Sequence, residues 1–239
     1  LKSKSLKDLI YKFKENEILN KGSSAFIFKI IGSLLGYVFL LLVTRTAGAE
    51  AWGIFALCLA VLNITSILSR LGIDTALIKF VSSFRDKLSE IKGVYLNGIS
   101  LVFFSSLLLS VLLYSFADII AEVIFQKADL ISYFKIIAFA LVPFSIIHIN
   151  VQTLRGLKKI KEFAFFQHVS KFLFAIIFFF LLTKFYNFHQ FSVPVYAFTF
   201  AVVLVMIVSL LYIFKKFKGI QSKRIFTNKE IIKTSFPIN

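Results

Sequence analysis

Six stretches of roughly 20 mainly apolar residues follow one another along the chain, each long enough to cross about 30 Å of hydrocarbon. They cover residues 24–44, 51–69, 94–116, 130–151, 163–183 and 193–214. Backbone in lipid must satisfy its own hydrogen bonds, so unbroken runs of this length leave the α-helix as the available structure. The expected fold class is therefore an all-α membrane protein, a bundle of six transmembrane helices. Composition agrees, since 17% of the 239 residues are charged, against about a quarter in soluble domains.

The 28 Lys and Arg residues do not scatter. Outside the six stretches, successive segments carry 6, 1, 5, 1, 4, 1 and 7 of them. Cytoplasmic loops of membrane proteins collect Lys and Arg, so the alternation predicts both ends of the chain and the second and fourth loops in the cytoplasm. A missed or extra span would break the pattern. It divides the chain into an arm (1–23), a six-helix lobe (24–214) and a basic segment (215–239). The first stretch reads as an uncleaved span, because a Lys-rich arm precedes it and no small-residue cleavage site follows. The net charge of +16 is thus assigned to topology and to anionic membrane lipids, with no nucleic acid implied.

Within the arm, Leu6, Leu9, Ile10, Phe13 and Ile18 recur at three or four residues beside a Lys-rich face. That pattern predicts an amphipathic helix suited to an anionic leaflet or, equally, a solvated connector. Residues 73–84 read the same way through Ile73, Leu77, Phe80, Val81 and Phe84. The single Cys58 lies in an apolar run and is expected to be a buried hydrophobe. No thiolate or carboxylate set suggests a metal or cofactor, and none is expected. Near the other end, residues 230–236 echo residues 17–23, which lead into the first span. The echo predicts a second six-span half, so the lobe would be one of two in an exporter of twelve or fourteen helices.

Several local patterns carry a family resemblance. The run from Thr44 through Arg45, Gly48, Trp52 and Gly53 to Phe55 is similar to a first external turn with an Arg, a small-residue loop and a Gly-aromatic start. Arg70-Leu71-Gly72-Ile73-Asp74 resembles the segment after the second span, and Gln152-Thr153-Leu154-Arg155-Gly156 the pattern after the fourth. Ser235-Phe236-Pro237 resembles the approach to a seventh span. In order and spacing the chain resembles the N-terminal lobe of polysaccharide exporters and O-antigen flippases, in the multidrug/oligosaccharidyl-lipid/polysaccharide exporter superfamily. The resemblance implies a non-enzymatic flippase in a prokaryotic cytoplasmic membrane, moving a polyprenyl-diphosphate-linked oligosaccharide by alternating access. It also implies a polysaccharide polymerase or glycosyltransferase machinery as partners.

A diphosphate crossing a low-dielectric region needs cations, and Arg matches phosphate oxygens best. Three cations, Lys29, Lys135 and Lys171, lie inside the stretches, whereas the 12 carboxylates avoid their interiors. Lys171 falls near the middle of the fifth, where a charge costs at least ~2.5 kcal/mol and is expected to face a cavity or partner. The alternative is a Lys that snorkels to the interface. Gln167 and His168, at i−4 and i−3, share its wall on an α-helix, although His168 could instead bond a neighbouring helix. Lys29 sits shallower, where snorkelling suffices, and Lys135 reads as an interface anchor. Arg45, Arg70 and Arg155 are candidates to attract the headgroup. Against these stand an ordinary interfacial Arg45, an Arg70–Asp74 ion pair at i+4, and a topological role for the basic cluster headed by Arg155.

Asn63 in the second stretch is either a ligand or interhelical glue. Gly32 and Gly36 predict close helix packing, and Pro143 predicts a kink in the fourth span. Two other function classes remain at this stage. A multidrug or cation exporter of the same superfamily would call for carboxylates in the spans, and a glycan-biosynthesis enzyme for paired acids or a phosphate-cradling Gly loop. Neither signature is present in the sequence.

Overall fold

The computed structural model describes residues 2–84, 87–185 and 191–222, those at 2–21 and 185 by backbone alone. Every regular element among them is helical. In chain order these are α1 (Lys2–Arg70), α2 (Ile73–Ser83), α3 (Leu88–Ser115), α4 (Ala117–Ile119), α5 (Leu130–Gly156), α6 (Ile160–Ala164), α7 (Ser170–Phe185) and α8 (Val193–Lys216). A π-turn at Ile120–Ile124 follows α4, and a second at Phe165–Val169 joins α6 to α7. Five helical segments are long and apolar enough to cross a membrane, and the first of them, Gly22–Arg70, runs for 49 residues.

That segment is a folded hairpin. Gly48 has φ 88° and ψ 168°, outside helical space, and a positive φ comes at little cost only to glycine. Phe39 and Phe55 flank the break, and their ring centroids stand 5.3 Å apart; on a straight helix, 16 residues would separate them by about 24 Å. The chain therefore makes six apolar passes, two of them within α1. On the second pass Ala51, Phe55, Cys58, Leu62, Ser66 and Ser69 are fully buried, a repeat of three and four that lays one stripe against the bundle.

The helices outrun the apolar stretches wherever they meet a basic loop. α3 begins at Leu88 rather than 94, α5 ends at Gly156 rather than 151, and α8 ends at Lys216 rather than 214. Hydropathy falls at the first charged residues, but i→i−4 hydrogen bonding continues through them. Glu90, outside the apolar stretch, accordingly falls in the first turn of α3, 7% exposed, with Oε1 3.5 Å from Lys87 Nζ. α1 runs from Lys2 into the first pass with no break before Gly48, so the arm is continuous with that pass. Its amphipathic face lies outside the described side chains, and the echo at 230–236 outside the described residues.

α5 is the hub, packing against α1, α2, α3 and α8 and continuing through Pro143. Lipid tails give helices little hydrophobic reason to associate, so small residues and interhelical hydrogen bonds carry the packing. Tyr95 Oη of α3 donates to Asn150 Oδ1 of α5 at 2.8 Å, and Asn150 Nδ2 donates to Ser209 Oγ of α8 at 2.8 Å. Higher in α5, Ser145 bonds Ser69 at 2.8 Å and Ser66 at 3.2 Å, and Ser105 of α3 donates to the Ser69 carbonyl. α2 turns its Ile73, Ala76, Leu77 and Val81 face into the protein. A Cβ on Gly156 would lie 2.7 Å from Val81 Cγ1, so the apolar face expected at the leaflet is held between α3 and α5.

Asn150 ties three helices at one point. Asn150→Leu is expected to leave the buried Tyr95 hydroxyl without its acceptor and to cost about 1–3 kcal/mol. A lowered thermal midpoint of the purified protein in detergent checks this; an unchanged midpoint would show the Tyr95–Asn150–Ser209 hydrogen bonds to be energetically idle.

Candidate functional site

Lys171 is the second residue of α7, in the fifth pass just beyond the π-turn. Counting from Ile160, where the fifth pass begins, it lies roughly 16 Å along, near the middle of the apolar slab. Its Nζ sits 4.9 Å from the centroid of the Phe144 ring on α5. The side chain is half-buried, and among the described residues it has no carboxylate partner. A cation–π contact supplies about 0.5–2 kcal/mol, against at least ~2.5 kcal/mol for placing the charge at depth. The ring offsets only part of the cost, and an anion would offset the remainder.

Other bases gather around it. Arg70 and His148 both interact electrostatically with Lys171, and His168 does so with Lys171 and Lys29. His148 is half-buried on α5, one turn beyond Phe144, with the two rings 5.0 Å apart. Arg70 is 8% exposed. Its Nε donates to the Ser66 carbonyl at 3.0 Å and its Nη1 pairs with Asp74 Oδ2 at 3.0 Å. The ion pair that the i+4 spacing allowed is therefore formed, and Arg70 contributes a locally neutralised guanidinium. Lys171 keeps the uncompensated charge.

The π-turn shapes the wall on which Lys171 stands. An α-helix would align Gln167 and His168 beneath Lys171, but the turn inserts a residue and changes the register. Gln167 Oε1 is buried and has no hydrogen-bond partner among the described residues, while His168 stays within the electrostatic reach of Lys171 and Lys29. Gly32 lets α1 touch this turn: a Cβ there would lie 2.7 Å from the His168 carbonyl carbon and 2.9 Å from its Cβ. A Cβ on Gly36 would make ordinary contact with Phe172 at 3.5 Å. The expected glycine-mediated contact is thus between the first and fifth passes.

Four other candidates take places apart from the Phe144 contact. Arg45 is exposed beside the Gly48 turn, nine residues or ~14 Å beyond Gly36 along the helix, at the opposite end from Arg70. Asn63 is exposed, next to but outside the buried stripe, and its Nδ2 donates to the Leu59 carbonyl of its own helix at 2.7 Å. Arg155 is exposed and stacks over Phe163 at 5.6 Å, at the rim. Lys29 is exposed as well and joins only through His168. Lys135 pairs with Asp118 at 2.9 Å, consistent with an anchor at the far end. Sequence reasoning missed His148 and Phe144, because a count of Lys, Arg and carboxylates registers neither an imidazole nor a phenyl ring. The available signal was a His one turn after a Phe inside a span.

Among the described residues no cluster of His, Cys, Asp or Glu is arranged to hold a metal. Fold and site together define a multi-pass α-helical membrane protein with a lysine over an aromatic ring inside its bundle. The sequence profile of the polysaccharide biosynthesis protein family matches residues 18–238, and the chain belongs to that family, the polysaccharide and O-antigen exporters. No curated protein and no solved structure matches the chain.

Proposed function

We propose that this chain is the N-terminal lobe of a flippase that carries a polyprenyl-diphosphate-linked oligosaccharide across the cytoplasmic membrane by alternating access, without catalysing a reaction. The observation that carries the reading is Lys171, a cation deep in the bundle with an aromatic ring beneath it and no acidic partner among the described residues. A diphosphate supplies the missing negative charge, and Lys29, linked to Lys171 through His168, extends the positive field toward the basic loops. With those loops in the cytoplasm, the substrate enters from the side where Arg155, Lys158, Lys159 and Lys161 concentrate positive charge. Anionic lipids and the polymerase or glycosyltransferase machinery are the expected partners.

The test is export in cells that lack a polysaccharide flippase, complemented with the full-length gene or its Lys171→Ala version. Wild type should restore surface polysaccharide, and Lys171→Ala should lose it at an unchanged membrane level of protein. Normal export by a well-expressed Lys171→Ala protein would reject the cationic site.

A further inference from the structure

A second basic site lies away from Lys171, where α3 begins and α8 ends. Lys92, Leu211, Phe214, Lys215, Phe217, Lys218 and Gly219 line a pocket of about 610 Å³. Its floor is fixed: Phe217 is buried, and the Tyr95 ring stands 5.7 Å from Phe217 and 6.3 Å from Phe214. Gly219 takes φ 77°, turning the chain so that the Ile220 carbonyl accepts from Lys92 Nζ at 2.7 Å. One Lys92 donor is used there. Lys215 and Lys218 are exposed and have no ion-pair partner among the described residues. Among the described residues no carboxylate lines the pocket, and the charges they bring to it are all positive.

An apolar track leads into this basic pocket. Phe200, Ile207, Leu211 and Phe214 are all exposed on α8, at spacings that put them on one face of the helix. Lysines at the end of a span, beside an outward apolar stripe, match a phosphate head with acyl chains laid along the helix. We infer that this pocket holds one anionic glycerophospholipid of the bilayer, its phosphate between Lys92, Lys215 and Lys218 and an acyl chain along the α8 stripe. The inference rests on the chain being a membrane protein and not on the transport reading.

Native mass spectrometry of the full-length protein, exchanged into mixed phosphatidylglycerol and phosphatidylcholine of equal chain length, tests this. Wild type should retain one phosphatidylglycerol in preference to phosphatidylcholine. Lys215→Gln with Lys218→Gln should lower that retention about tenfold or more, while Lys215→Arg with Lys218→Arg and Lys171→Ala should keep it. Equal retention of both lipids by wild type overturns the proposal, and that comparison stands even if the double variant is not recovered. Undiminished retention in a folded double variant also overturns it, as does displacement of the lipid by excess inorganic phosphate, which would indicate a free-anion site.

Discussion

Lys171→Glu is expected to abolish export where Lys171→Arg preserves most of it. The substitution places a carboxylate over the Phe144 ring, where the Lys171 ammonium now stands. An aromatic face repels negative charge as it attracts positive charge, and an anionic headgroup would then meet like charge where it met an opposite one. Each 1.4 kcal/mol lost from such a contact is about tenfold in affinity, and a charge reversal at low dielectric exceeds that step. A fall in surface polysaccharide of about a hundredfold or more, at normal protein level, is the expected readout. The arginine variant separates charge from shape: it keeps the cation and stacks on the ring. Wild-type export by Lys171→Glu would remove Lys171 from the transport path.

Gly32→Ala and Gly36→Ala are the same chemical change four residues apart, and they are expected to act in opposite directions. At Gly32 the added methyl would press on His168 backbone atoms, with the carbonyl carbon at 2.7 Å. Backbone packed in a helix pair gives way poorly, and overpacking of this kind costs about 1–3 kcal/mol. At Gly36 the nearest atom is Phe172 Cε2 at 3.5 Å, ordinary contact. The gain of up to ~1 kcal/mol in helix propensity from Gly to Ala then remains. Thermal midpoints of the two purified variants should fall on either side of wild type. Gly32→Ala should also reduce export, because it displaces the turn that carries His168 toward Lys171. Equal midpoints would mean that the first pass does not pack on the π-turn as closely as described.

Much of the architecture is legible in the sequence. Apolar length defines the passes, because a membrane-crossing backbone has no alternative to intrahelical hydrogen bonding. The break between the first two passes was visible in Ala47-Gly48-Ala49, and Gly32 and Gly36 announced a close helix contact. What could not be read was the identity of the partner. A glycine states that something approaches, and only the fold shows that Gly32 meets His168 and Gly156 meets Val81.

The candidate site divides along the same line. Local chemistry determined that Lys171 sits deep in an apolar pass without a carboxylate nearby in sequence, and that Arg70 could pair with Asp74 one turn away. Both follow from helical periodicity, which couples residues three and four apart. Tertiary structure alone decided which of the other polar groups join them. Phe144 reaches Lys171 from α5, more than twenty residues earlier in the chain, with His148 packed against the same ring, while Asn63 and Arg45 point elsewhere. The π-turn decided the rest, since one inserted residue changes the register on which every i−3 and i−4 inference about Gln167 and His168 depended. Sequence fixes periodicity within a helix, but the rotation of one helix against another is set by packing summed over the whole bundle, and it is that rotation which selects the residues facing the site.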